Sequence, residues 1–248
     1  MKFSMLFAAG ASALALAACS QPDDSIDVDA DTPPAETGTP STDTNAPEEM
    51  TDPAADTEPA VPAAGTYSLE PTHAFLSFTV MHNGLSEYTV DFTDFDVTLD
   101  FDPDAPETSD LSATINPLGL NVNYRADYKA GHPDSPYSTW PEALSKDTRF
   151  LNAAEFPEIT FESTDVTQTG DNSGTVTGDL TFLGVTRPVT LDVTYNGTGN
   201  APWYGERDLI GFDATTTISR SAFGQDSLEG VISDDVMIEF SGELLQDE

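Results

Sequence analysis

Two of the three histidines in this 248-residue chain, His73 and His82, stand nine residues apart in the apolar stretch EPTHAFLSFTVMHNGL, residues 70–85. Imidazoles so close could be two ligands of one metal ion, or one could belong to a catalytic set. On a strand, side chains alternate with period two, so residues nine apart point to opposite faces. The pair is therefore not expected to share an ion. His82 has the parity of Leu76, Phe78 and Val80 and should point inward at a strand end, whereas His73 falls with Phe75, Ser77, Thr79 and Met81. The segment DFDPDAPETSDL (100–111) places Asp100, Asp102 and Asp104 like the opening of a calcium loop. Ala105 replaces its turn glycine and Leu111 its bidentate glutamate, so it reads as a solvated turn. His132 and Asp134 offer two donors without a third. No G-x-S-x-G, H-E-x-x-H or phosphate-cradling glycine loop occurs. The chain is expected to have no catalytic residues, no metal site and no cofactor. Arg220, in ISRSAFGQDS, continues the inward parity of Ile218 and should close one end of the fold through an acidic or aromatic partner rather than meet a ligand.

The elements that carry these residues are strands. In PVTLDVTYNG (188–197) Val189, Leu191, Val193 and Tyr195 share one face and Thr190, Asp192, Thr194 and Asn196 the other. The same alternation places Val176, Leu180 and Phe182, then Phe212, Ala214 and Ile218, then Val236, Ile238 and Phe240 on inner faces. Between 88 and 101 the parity switches from Tyr88, Val90 and Phe92 to Phe95, Val97, Leu99 and Phe101, which requires a β-bulge near Thr93 or Asp94. Eight strands follow, near 73–82, 88–101, 110–118, 158–168, 174–183, 187–197, 208–219 and 234–245, and with a bent strand they suit an all-β antiparallel barrel. The long connection 124–156 offers one or two short helical turns. A barrel of eight strands can be filled by side chains or can hold one slender ligand, and periodicity leaves both open.

The first eighteen residues read as a secretory signal peptide, one lysine ahead of an apolar stretch too short to span a bilayer. The run Leu16-Ala17-Ala18-Cys19 resembles the lipobox cut by the bacterial lipoprotein signal peptidase. That resemblance implies acyl chains on Cys19, and Ser20 implies the outer membrane, with the protein facing the periplasm. Residues 20–64 hold twelve acids, eight prolines, no Lys or Arg and no aromatic residue, so 19–64 is expected to be a disordered tether and 65–248 the one folded domain. That domain carries 32 acids against seven bases. Such a balance repels nucleic acid and anionic lipid head groups.

The motifs YSLEPTHAFLSFTVMHNGLSEYTVDF, FLNAAEFPEITFEST, VTGDLTFLGVTRPVTLDVTYNG and GFDATTTISRSAFG, in this order, resemble the YceI-like family of exported bacterial proteins. The most specific parts are Gly184, Val185, Thr186, Arg187 and Pro188, and then Arg220, Phe223 and Gly224. His73, Phe78 and His82 match the family's opening pattern. The resemblance implies a lipocalin-like, eight-stranded barrel whose cavity holds an isoprenoid or similar long-chain amphiphile. Leu76, Phe78, Val80, His82, Phe92, Phe161, Phe182, Tyr195, Phe212, Ile218 and Phe240 are then the ligand-binding candidates. NYRADYKAGHPDSPYSTW looks like an insertion near the family's helical region, and Ala74 stands where Ser is common. The function expected is non-enzymatic binding or transport of such a ligand by an envelope lipoprotein. The other reading is an envelope stress or interaction protein with a filled barrel and a partner docked on 124–156.

Overall fold

A computed structural model describes residues 61–248. The expected signal peptide, Cys19 and all of the tether up to residue 60 lie outside the described residues. From Gly65 the chain forms β1 (Gly65–His82), β2 (Ser86–Phe92), β3 (Phe95–Phe101), β4 (Asp110–Ile115), β5 (Leu120–Val122), α1 (Tyr128–Gly131), α2 (Trp140–Lys146), β6 (Ile159–Gly170), β7 (Ser173–Phe182), β8 (Val185–Asn200), β9 (Asp208–Ser219) and β10 (Ile232–Gln246). The antiparallel order β10-β9-β8-β7-β6-β4-β3-β1 closes on itself because β10 also pairs with β1. The halves β2 and β3 of one bent strand both pair with β1, and β5 prolongs β4 against β2. The wall is thus an eight-stranded antiparallel barrel without a free edge along most of its circumference.

The parity switch read between residues 88 and 101 is a real break at Thr93–Asp94. Thr93 N–H donates to the Gly119 carbonyl at 2.9 Å and Asn116 N–H to the Asp94 carbonyl at 2.9 Å, so the facing strand breaks at the same level. Gly119 is required there, since a Cβ on it would stand 2.5 Å from Asp94 Cβ. The strand expected over 110–118 consequently stops at Ile115, where Asn116-Pro117 turns the chain.

β1 begins at Gly65 rather than near residue 73. Its register against β10 slips between Leu69 and Ala74, and the polar EPTH segment inside that slip hides the alternation. Two short helices occupy the 124–156 connection. Asp127 caps α1 by accepting from Ala130 N–H at 2.9 Å. Thr139 caps α2 by accepting from Glu142 N–H at 3.2 Å, with Pro141 in the first turn.

Inward-facing side chains form two clusters, one around Phe161, Leu180, Phe182 and Phe223 and one around Tyr67, Ile210 and Leu244. Tyr67 is fully buried and donates to the Ala63 carbonyl at 2.6 Å. Burial first, then Asp208 and Tyr195, pushes its phenol up to about 12, so it is a permanent donor. Gly178 faces Phe161: a Cβ there would come within 2.4 Å of both the ring and the Glu162 carbonyl, so only glycine leaves room for them.

Candidate functional site

The two clusters touch along β4, where Leu111 and Ala113 pack against both. Inside them the barrel encloses a cavity of about 1130 Å³, with Phe101 and Leu244 in its lining toward one end and His82 and Trp140 toward the other. Every ligand-contact candidate read from strand parity lines it: Leu76, Phe78, Val80 and His82 of β1, Phe92 of β2, Phe161 of β6, Phe182 of β7, Tyr195 of β8, Phe212 and Ile218 of β9 and Phe240 of β10. The strand period delivers them from seven strands to one space, because alternation points every second residue inward. The interior is therefore hollow, which corrects the filled-barrel reading. A cavity this size exceeds the usual small-molecule pocket and is lined overwhelmingly by hydrocarbon.

The two ends differ in chemistry. At the Gly65 end Phe101 packs against Tyr67, Tyr195 and Phe212 with ring centroids 6.5, 6.5 and 6.1 Å away, a hydrophobic plug. At the His82 end a continuous set of polar-tipped rings forms a crown. His82 lies 5.6 Å from Tyr88, Tyr88 4.3 Å from Tyr124, and Tyr124 4.9 Å from Trp140. Tyr128 stacks on His132 at 4.5 Å and meets Trp140 edge-on at 5.0 Å. Tyr124, Tyr128, His132 and Trp140 all come from the 124–156 connection, so that segment contributes to the cavity lining while Arg125, Asp127, Pro133 and Asp134 of the same segment stay exposed. Burial, with a smaller effect of Tyr88, raises the Tyr124 phenol above its ordinary value and keeps it a neutral hydroxyl.

Arg149 and Arg220 are the only Lys or Arg side chains lining the cavity among the described residues, and both are engaged. Arg220 donates Nε to the Ser233 carbonyl at 2.8 Å, Nη1 to those of Gln225 and Ser227 at 2.9 and 2.7 Å, and Nη2 to that of Ile232 at 3.2 Å. It closes the barrel end, as its parity suggests, but its partners are backbone carbonyls rather than an acidic or aromatic side chain. Arg149 forks onto Asp147, with Nη2–Oδ2 at 2.7 Å and Nε–Oδ1 at 3.0 Å. The hydrogen bonds from Arg149 hold the Asp147 carboxyl below the usual carboxylate range, against an opposing effect of burial. Three polar atoms of lining residues, Ser109 Oγ, Trp140 Nε1 and Tyr195 Oη, are buried with no hydrogen-bond partner among the described residues. An orphaned donor of this kind costs roughly 1–3 kcal/mol, and only a few per domain are tolerated.

The remaining candidates divide plainly. His132 stacks on Tyr128 and its Nδ1 lies 3.1 Å from that residue's carbonyl, so it forms no ligand pair with Asp134. The calcium-like stretch ends in a short 3-10 turn, Pro106–Thr108, and brings no third ligand. Trp140 belongs to the cavity mouth, whereas Trp203 is exposed on a turn away from it and Tyr204 lies against Glu70. In the sequence Glu70 looks like one more surface acid, yet it is only 5% exposed. Its carboxylate accepts from Thr72 Oγ1 at 2.8 and 2.7 Å and lies 2.7 Å from His73 Nδ1. Burial pushes Glu70 up, but the hydrogen bonds from Thr72, His73 and Tyr204 together outweigh it and hold the carboxyl below its ordinary value. His73 faces outward, away from the cavity, as strand parity requires.

This barrel has solved counterparts. The crystal structure of Burkholderia cenocepacia BcnA superposes with a TM-score of 0.56 at 22% identity, over 72% of this chain and 99% of that one, which shows the shared fold. The Campylobacter jejuni YCEI protein gives a TM-score of 0.54 at 25% identity over 66% and 88% of the two chains. Among curated relatives, a UPF0312 protein of Pseudomonas fluorescens (strain SBW25) is 39% identical over 155 residues, 62% of this chain and 72% of that protein. The YceI-like domain matches residues 67–244, from the buried Tyr67 to the buried Leu244, and so spans the complete barrel. The chain belongs to the YceI-like domain family.

Proposed function

We propose that the barrel holds one long apolar molecule with an uncharged polar end, an isoprenoid or a similar long-chain amphiphile, and does not transform it. The observation that carries this reading is the hollow hydrocarbon-lined interior of about 1130 Å³. Each five-carbon unit withdrawn from water is worth roughly 3–4 kcal/mol by area transfer, before ordering costs. A chain of a few units therefore binds usefully through its length alone. The polar end belongs at the crown, where His82, Tyr88 and Tyr124 present ring nitrogens and hydroxyls. An uncharged end fits this lining, because Arg220 gives four of its five N–H donors to carbonyls and Arg149 is ion-paired with Asp147, so neither offers an unpaired cation to an anionic head group. The sequence extends the proposal to an envelope lipoprotein, anchored in the outer membrane by acylated Cys19 and reaching into the periplasm on the 19–64 tether. The barrel would shield its ligand between membrane and water.

The proposal is tested by stripping the chain of bound lipid and titrating it, by intrinsic tryptophan fluorescence, with a long-chain polyprenol and with the corresponding polyprenyl phosphate. The polyprenol is expected to bind at least about tenfold more tightly, a difference of about 1.4 kcal/mol. Binding of neither, or tighter binding of the phosphate, would overturn it.

A further inference from the structure

His73 is a sequence landmark that the cavity leaves unused. Where β1 slips against β10, residues 70–73 leave the ladder and His73 comes to stand beside Glu243 of β10. His73 Nδ1 is 2.7 Å from Glu70 Oε2 and 3.8 Å from Glu243 Oε2, and one donor atom from each of the three residues lies within 4.8 Å of the others. None of the three lines the cavity. We propose that Glu70, His73 and Glu243 form a site for a divalent transition ion of the Zn²⁺ class on the outer wall of the barrel.

An ordinary ion pair needs one carboxylate for one imidazole. Here two carboxylates converge on a single half-exposed histidine, leaving a negative charge that a divalent ion neutralises. Three ligands about 2.0–2.2 Å from a tetrahedral ion stand roughly 3.3–3.6 Å apart, so the observed separations of 2.7 and 3.8 Å bracket the required one. The side chains are suited to closing that difference. Glu70, with its side chain 6% exposed, is fixed by Thr72 and supplies a rigid anchor, while those of His73 and Glu243, 57% and 44% exposed, can turn. Thr72 Oγ1 also lies 3.1 Å from His73 Nδ1, a contact that the ion would replace while the Thr72 hydrogen bonds to Glu70 remain. The donor set selects the metal class: one imidazole nitrogen beside two carboxylate oxygens suits Zn²⁺ and its transition neighbours, whereas Ca²⁺ and Mg²⁺ favour shells made wholly of oxygen. A three-ligand site leaves at least one position to water. Strand spacing separated His73 from His82 correctly but could not show that the bulge gives His73 two glutamate neighbours.

The test is calorimetric titration of the full chain, stripped with a chelator, with ZnCl₂ against a background of millimolar Ca²⁺ that occupies diffuse acidic sites. One equivalent of Zn²⁺ is expected to bind, and His73→Ala and Glu243→Gln should each weaken it roughly tenfold or more, the loss of about 1.4 kcal/mol per ligand. Both side chains are substantially exposed, so the variants are expected to fold, which circular dichroism verifies. Glu239→Gln, an exposed acid on the same strand, should leave the titration unchanged. Binding that does not saturate near one equivalent, or that ignores His73→Ala, or that weakens equally in Glu239→Gln, would overturn the site and leave an ion pair with diffuse surface charge.

Discussion

Replacing Arg220 by alanine is expected to destabilise the barrel by about 3–5 kcal/mol, the range for removing one partner of a buried charged network. For a domain of this size that lowers the melting temperature by on the order of 10 °C. Arg220 opens a 3-10 turn after β9, is 4% exposed, and sends its guanidinium to the carbonyls of Gln225, Ser227, Ile232 and Ser233. Gln225 and Ser227 lie in the connection into β10 and Ile232 and Ser233 are its first two residues, so one side chain ties that connection to the start of the strand. Truncation removes four charge-assisted hydrogen bonds and leaves carbonyls that the folded loop cannot turn to water. Asp234 continues the same network by accepting from Ser221 N–H at 2.9 Å and Ser221 Oγ at 3.0 Å. Arg220→Lys keeps the charge but offers one nitrogen with three donors in place of a planar fork, so an intermediate loss is expected. The measurement is a urea or thermal unfolding curve for each variant. An alanine variant that melts within a degree or two of the parent would show that the guanidinium is not what closes the end.

Ala214→Trp should abolish ligand uptake, by at least about a hundredfold in affinity, with little cost in stability. Ala214 lies on β9 opposite Val193 of β8 and Phe240 of β10, and it lines the cavity. An indole placed there occupies the hydrocarbon space that a ligand chain would take. In a packed interior such a substitution forces neighbours off their rotamers and costs about 1–3 kcal/mol or more. In a hollow one the ring finds room, contributes its own buried apolar area and holds the melting temperature near the parent value. The two readouts move in opposite directions for a filled barrel, in which stability falls and there is no uptake to lose. Equilibrium unfolding together with fluorescence titration of a long-chain polyprenol distinguishes the cases.

Strand parity carries a great deal here. The inward sets Val189, Leu191, Val193 and Tyr195, and Val236, Ile238 and Phe240, are legible because each strand has one apolar face and a one-residue slip would bury its charges. The bulge at Thr93–Asp94 is legible for the same reason, as a change of parity between two regular halves. Hollowness is not, since Phe161 or Phe182 could as well have filled the centre; it follows from how far apart opposite walls stand. The crown of Tyr124, Tyr128, His132 and Trp140 is hidden because the connection has no period, and its only sequence signal is an unusual density of aromatic residues. Glu70 is hidden more deeply. Its burial and its approach to His73 and Glu243 arise from a register slip between strands more than 160 positions apart in sequence, which no local pattern records.

An occupied, lipid-binding interior is the central property proposed for the barrel. Native mass spectrometry of residues 61–248, exported to the periplasm without the Cys19 anchor and purified without detergent, tests that directly. The expected spectrum shows one apolar adduct per chain, lost on extraction with organic solvent and identified in the extract as a single long-chain class with an uncharged head. A spectrum showing only the bare chain mass, unchanged after incubation with a long-chain polyprenol, would contradict it.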